Sequence, residues 1–176
     1  MMELYYRGSD KWWKYAREDI YCTSEDFYVK IRNCAYYAQS NQESIRIYKK
    51  AVDFIKLIYD EGDYGFSNYN LSEAYLAMAS LYCRECNYEN CAKYLDLCLA
   101  HAKAYDELPE KTAHTSYLVR NHEFERSHVY SGYECNDVMH RLNSIHKDKH
   151  FDIIRDMQWF KEILEKYTPF AKDIKR

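Results

Sequence analysis

Apolar residues recur along this chain at intervals of three and four positions, which places them on one face of an α-helix. The clearest stripe covers residues 45–59 and stops before Gly62, a residue suited to the left-handed end of a helix. Two further stripes cover residues 71–82 and 91–102, and Asn87 between them predicts a left-handed break. No alternating run bounded by turn residues occurs in the sequence, so no strand is predicted.

These stripes predict one all-α domain, covering residues 1–176, built from antiparallel helix pairs. A weak capping-box pattern at Thr23 predicts a new helix start inside the first pair. Residues 120–132 are polar and without a sustained period, and they form the longest predicted loop. We expect two helix pairs and then three further helices, at approximately 10–62, 70–106, 109–119, 133–145 and 157–167.

Composition agrees with long helices joined by short connections. The chain of 176 residues has only 4 Gly and 2 Pro, so few turns can be built from it. Its formal net charge of -3 does not indicate a basic nucleic-acid surface. No apolar run approaches the roughly 18 residues that a membrane span needs, and the first residues lack the apolar core of a signal peptide. The 7 cysteines are an odd number, so reduced thiols in a cytoplasmic protein are the simplest interpretation.

Small and large residues alternate in a regular way between Tyr75 and Cys98. Ala79, Cys91 and Cys98 stand where a close helix neighbour needs a small side chain, and Tyr82 stands at an aromatic position. This spacing resembles the tetratricopeptide repeat, in which small residues on one helix let the next helix approach. The resemblance implies a short right-handed solenoid of helix pairs.

The cysteines allow a metal or redox interpretation as an alternative. Cys83-x-x-Cys86, together with Cys91 and Cys98, superficially supplies four thiols. A zinc knuckle pair needs two CxxC motifs, however, and only one is present. We therefore expect no metal and no cofactor, and zinc binding or redox chemistry through Cys83 and Cys86 remains a remote alternative.

Catalytic motifs are also missing from the sequence. It contains no HExxH, no glycine-rich phosphate loop and no GxSxG. His114 and Ser116 are two positions apart, and on a helix such residues point to different faces. The chain is therefore not expected to be an enzyme.

Three stretches together resemble a narrower family, the bacterial transcription regulators that carry an XRE-type helix-turn-helix before a C-terminal tetratricopeptide-like domain. The stretches are residues 62–109, 114–121 and 150–167, the last opening on Phe151, Asp152, Arg155 and Asp156. The resemblance covers about residues 40–170. The sequence encodes no helix-turn-helix, so we expect binding to DNA only through an upstream module that this chain does not contain.

The family resemblance implies a regulatory domain that binds a peptide or protein and carries out no chemistry of its own. In tetratricopeptide arrays the first helix of each pair lines the concave face. Motif positions then assign the groove to five residues, Glu73, Leu76, Ser80, Cys83 and Arg84.

A second hypothesis makes the array mainly a dimerisation scaffold or a stand-alone adaptor. Trp12 and Trp13 would then form the interface of a homodimer, because aromatic residues are enriched at such surfaces. The two hypotheses are compatible, since one domain can both dimerise and bind a ligand.

Overall fold

The computed structural model describes residues 8–125 and 134–173. These ranges contain six α-helices, four short 3₁₀ segments and two three-residue strands. The helices are α1 (Asp10–Cys34), α2 (Asn41–Ile58), α3 (Ser67–Arg84), α4 (Tyr88–Asp106), α5 (Asp137–Lys147) and α6 (Gln158–Tyr167). The strands are β1 (Lys111–Ala113) and β2 (Glu123–Glu125), and the 3₁₀ segments are Ala35–Tyr37, Tyr117–Val119, Lys149–Ile154 and Thr168–Phe170. The predicted all-α class is confirmed.

Side-chain caps fix the starts of four of these helices. In each case the capping oxygen accepts a hydrogen bond from a backbone N–H in the first turn that has no partner within the helix. The caps are Ser9 for α1, Ser40 for α2, Asn87 for α4 and Asn136 for α5. The predicted left-handed break is shifted by one residue, because Cys86 has φ of 55° while Asn87 acts as the cap.

Helix α1 is longer than the sequence pattern predicts. It runs through Thr23 without interruption, so the predicted helix start at that residue is wrong. Contacts with α3 supply the reason, since Glu25 accepts hydrogen bonds from Ser67 (2.7 Å) and Asn70 (2.7 Å). Tertiary hydrogen bonds just after the candidate cap therefore outweigh a weak local signal.

The predicted helix at 109–119 is wrong, and so is the expectation of no strand. β1 pairs antiparallel with β2, with Thr112 opposite Phe124. Only Tyr117–Val119 is helical, as a single 3₁₀ turn. The predicted loop at 120–132 therefore contains the strand Glu123–Glu125, and its residues 126–132 lie outside the described ranges.

Helices that follow one another in the chain also pack against one another. α1 lies on α2, α2 on α3, α3 on α4, and α4 on both α5 and α6. The hairpin of α3 and α4 has the most extensive contact and occupies the middle of this series. Such an order is typical of arrays of helix pairs, and the right-handed solenoid itself remains a prediction.

Small residues fill the centre of the α3–α4 contact. Ala79, Cys91 and Cys98 are each fully buried, and they belong to the same core cluster as Leu95 and Tyr82. The prediction that these positions serve helix packing is therefore confirmed. None of the helices within the described ranges combines the length and the apolar character that crossing a membrane requires.

Enlarging the small side chain at position 79 should test this packing. We expect Ala79→Leu to lower the free energy of unfolding by about 1–3 kcal/mol, because extra methyl groups in a filled core force strain. Ala77→Leu on the same helix is the control, since Ala77 is half-buried beside an open cleft and should change stability by less than about 0.5 kcal/mol. Urea unfolding of both variants measures the difference, and equal losses would contradict the close-packing argument.

Candidate functional site

A polar cleft of about 660 Å³ lies beside α3, where the connection between α1 and α2 passes over it. One wall comes from the 3₁₀ segment Ala35–Tyr37 and the start of α2, and the other comes from α3. Arg141 of α5 and Asp148 border the cleft as well. The cleft is thus assembled from several successive elements of the array.

Four of the five predicted groove residues line this cleft. Glu73, Leu76, Ser80 and Arg84 are three or four positions apart on α3, so they share one face of the helix. Cys83 does not line it: this residue is buried, and its thiol donates a hydrogen bond to the carbonyl of His150 at 3.1 Å. The prediction for Cys83 is wrong because its position on α3 is rotated toward the segment Lys149–Ile154.

Most charged groups of the cleft are already paired within the chain. The carboxylate of Glu73 accepts a hydrogen bond from Arg32 at 2.6 Å. Asp148 accepts from the hydroxyl of Ser80 at 2.7 Å and lies 2.8 Å from Nδ1 of His150. Burial alone would raise the pKa of Asp148, but the hydrogen bonds from His150 and Ser80 outweigh it and lower that pKa. Asp148 is therefore a carboxylate at neutral pH.

Arg84 differs from the other charged residues of the cleft. Its side chain is exposed, and it forms no ion pair with any residue in the described part of the chain. Arg141, in contrast, is buried and pairs with Asp137 at 3.3 Å. Arg84 therefore offers the cleft a guanidinium whose five N–H donors are available to a ligand.

Neutral polar groups complete the lining of the cleft. Ser40, Asn41 and Tyr36 border it, and Tyr36 is 69% exposed. Hydroxyl and amide groups of this kind both donate and accept hydrogen bonds, so they can pair with a peptide backbone. The sequence reasoning missed these residues because they belong to α2 and to the segment before it, and only the packing of α2 on α3 brings them to the cleft.

The candidate catalytic residues His114 and Ser116 are both buried and both contact Asp63. The hydroxyl and the backbone N–H of Ser116 donate to the Asp63 carboxylate, while Nδ1 of His114 lies 3.0 Å from the Asp63 carbonyl. Asp63 thus stands between the other two, and no hydrogen bond joins Ser116 to His114 among the described contacts. Here the carboxylate of Asp63, and not a histidine, accepts the hydrogen bond of the Ser116 hydroxyl, which differs from the contact that activates a serine nucleophile.

Asp63 therefore joins two connections by hydrogen bonds. It lies in the turn between α2 and α3, and it holds the segment that follows β1. Burial alone would raise the pKa of Asp63, but the hydrogen bonds from Ser116 and Thr115 outweigh it and lower that pKa. The sequence at Gly62–Gly65 predicts the turn itself, but it does not indicate that Asp63 contacts the segment after β1.

The two tryptophans predicted as an interface lie in the first turns of α1. Their rings meet edge to face with centroids 4.8 Å apart. Trp13 is 47% exposed, while Trp12 is half-buried. An exposed ring of this size is available for contact with another molecule.

The cysteines do not form a metal site within the described ranges. No group of three or more histidine, cysteine, aspartate or glutamate side chains converges there to hold an ion. Cys83 is buried while Cys86 is exposed, so the two thiols of the CxxC motif lie in different environments. Burial raises the pKa of Cys83, and it raises that of Cys98 to about 12, which keeps both as thiols and makes them poor metal ligands.

Thiol titration should separate the cysteines by their burial. In the native protein we expect fast reaction of the exposed thiols Cys22, Cys34 and Cys86, and reaction at least about tenfold slower of the buried thiols. All 7 should react after unfolding, and the dialysed protein should retain no zinc. One zinc per chain with protection of Cys86 would contradict the packing role and favour a metal site.

Replacing Asp63 should show how much its hydrogen bonds stabilise the fold and how this stabilisation depends on pH. We expect Asp63→Asn to lower the free energy of unfolding by about 1–3 kcal/mol at pH 7, because the carboxylate's charge-assisted hydrogen bonds are lost. Since the native pKa is lowered, this stabilisation is present above the ordinary carboxyl value of 3.8 and disappears as pH falls through the native value. Urea unfolding at pH 7 and near pH 3 measures both effects.

Asp60→Asn provides the matched control for this experiment. Asp60 is an exposed neighbour whose backbone N–H, and not its carboxylate, bonds to Ser116. Its replacement should leave the free energy of unfolding within about 0.5 kcal/mol of the wild-type value. A loss equal to that of Asp63→Asn would show that the removal of a negative charge, and not the loss of the Asp63 hydrogen bonds, is responsible.

No family model, no curated protein and no solved structure matches this chain.

Proposed function

We propose that the cleft beside α3 binds an extended peptide or protein segment, and that the domain regulates a transcription regulator through this binding. The observation that carries the proposal is the cleft itself, in which Glu73, Leu76, Ser80 and Arg84 share one helix face opposite polar groups of α2. The resemblance to tetratricopeptide arrays supports it, because such arrays bind ligands on that helix.

The mixture of groups in the cleft favours an extended peptide over a compact substrate. Leu76 supplies an apolar contact, while Ser40 and Asn41 supply hydrogen-bonding groups for a peptide backbone. Glu73 and Asp148 are held in place by their own partners within the chain. A lining that is already ordered loses little conformational entropy on binding.

Arg84 determines which peptide fits best. Its exposed guanidinium lacks an ion-pair partner among the described residues, and it can hold a carboxylate through two parallel hydrogen bonds. The preferred ligand therefore carries an aspartate, a glutamate or a terminal carboxylate that reaches Arg84.

Regulation would follow if the ligand prefers one arrangement of the helix pairs. A differential affinity of about 1–3 kcal/mol between two arrangements is sufficient to couple the cleft to a linked module. In this proposal, contact with DNA is made by a linked helix-turn-helix module. The domain itself works in the cytoplasm with its thiols reduced, and it carries out no catalysis and binds no cofactor. The resemblance over residues 40–170 supports this assignment.

A second candidate function is dimerisation through α1. The specific observation is that α1 exposes several large apolar side chains, with Trp13 at 47% and Phe27 at 49% of their maximal exposed area. Light scattering across a range of concentrations tests this candidate. A strict monomer at high concentration would remove it, and a dimer that Trp13→Ser dissociates would support it.

Peptides selected from a random display library should test the cleft directly. We expect the selected peptides to contain an acidic residue, and we expect Arg84→Gln to weaken their binding by about tenfold or more, as the loss of a charged hydrogen bond predicts. Isothermal titration of the selected peptides against wild-type protein and variant measures the change.

Arg46→Gln is the control for this experiment, because Arg46 is an exposed arginine of α2 that does not border the cleft. It should bind the selected peptides as the wild-type protein does. Selection that yields no binding peptide, or binding that Arg84→Gln leaves unchanged, would contradict the proposal.

A further inference from the structure

A second and larger cavity lies beside the N-terminal half of α1, away from the cleft. We name it the α1 cavity: it has a volume of about 810 Å³ and lies between residues 10–20 and residues 111–123. Sites for small molecules commonly enclose about 300–1,000 Å³, so this cavity is of the size that a small ligand fills. None of its lining residues borders the cleft.

Two exposed aromatic rings border the α1 cavity from different elements. Trp13 comes from α1 and is 47% exposed, and Tyr117 comes from the 3₁₀ segment that follows β1 and is 73% exposed. Large rings left open to solvent in a concave site offer flat surfaces on which another ring can stack.

An arginine accompanies each of these rings. The guanidinium carbon of Arg17 lies 5.8 Å from the centre of the Trp13 ring, and that of Arg120 lies 5.8 Å from the centre of the Tyr117 ring. Neither arginine pairs with a carboxylate anywhere in residues 8–125 and 134–173. Both guanidinium groups thus keep hydrogen-bond donors for an anion.

The other charges of the α1 cavity leave an excess of positive charge. Lys111 pairs with Glu123 across the two-stranded sheet at 2.9 Å, so these two groups neutralise each other. The remaining lining charges are Lys14, Arg17 and Arg120 against Asp10 and Glu18. In a chain whose formal net charge is -3, this is a local reversal of sign.

We propose that the α1 cavity binds a small organic anion: a molecule with a planar ring that stacks on Trp13 or Tyr117, and a phosphate or carboxylate that Arg17 and Arg120 hold. The planar fork of arginine matches both anions through two parallel hydrogen bonds. Arginines placed beside exposed rings therefore recognise both parts of such a ligand. This site is separate from the peptide cleft and does not depend on the function proposed for it.

Isothermal titration with four probes tests the proposal. Adenosine 5′-monophosphate and indole-3-carboxylate each carry a ring and an anion, while adenosine and inorganic phosphate each carry only one of the two. We expect at least one ring-bearing anion to bind about tenfold or more tightly than adenosine or phosphate alone. Comparison of the first two probes shows which combination of ring and anion the cavity prefers.

The double variant Arg17→Gln, Arg120→Gln identifies the residues responsible. It should weaken the better probe by about tenfold or more, because both charged contacts are removed, and Trp13→Leu or Tyr117→Leu should weaken it as well, according to which ring the ligand stacks on. Arg46→Gln is the matched control and should bind as the wild-type protein does, and circular dichroism should show that every variant is folded. Absence of binding by both ring-bearing anions at millimolar concentration, or equal binding by the double variant, would overturn the proposal.

Discussion

The close approach of α3 and α4 is the contact on which the rest of this structure depends. Ala79, Cys91 and Cys98 are fully buried in it, and their small side chains let the two helices pack without a gap. α2 then packs on α3, and both α5 and α6 pack on α4, so the remaining helices are placed by this hairpin. The cleft exists because the α2 side and the α3 side are held at a fixed separation. Larger residues at these positions would therefore disturb the cleft together with the core.

Buried and partly buried polar groups complete the arrangement where apolar packing ends. Asp63 receives hydrogen bonds from residues that follow β1, and Asp137 contacts Ser72 of α3 while pairing with Arg141. Charged groups removed from water are costly unless they are paired. The hydrogen bonds of Asp63 and the bond from Ser72 to Asp137 join elements distant in sequence, while Arg141 pairs with Asp137 within α5. They therefore specify which connections meet, while the small residues specify how closely the helices pack. Among the open surfaces beside this framework are the cleft, which lies between the segment Ala35–Tyr37, α2 and α3, and the α1 cavity, which lies between α1 and residues 111–123.

The two surfaces differ in chemistry because their charges differ. In the cleft, Glu73 and Asp148 have partners within the chain, so the exposed Arg84 and neutral polar groups remain for the proposed peptide. In the α1 cavity, two arginines lie beside exposed rings. The two surfaces share no lining residue, and of the two α1 lines only the α1 cavity, so the peptide and the small anion proposed above would not compete for the same side chains.

The sequence by itself determined the helical class, the α3–α4 hairpin and the burial of its small residues, because helix periodicity and capping are local signals. It also placed four of the cleft residues, since positions three or four apart on one helix share a face. Only the tertiary structure decided that α1 continues through Thr23, that residues 111–113 form a strand, and that Cys83 turns away from the cleft. In each case the deciding contacts come from residues far apart in the sequence, and their hydrogen bonds and packing outweigh a weak local preference.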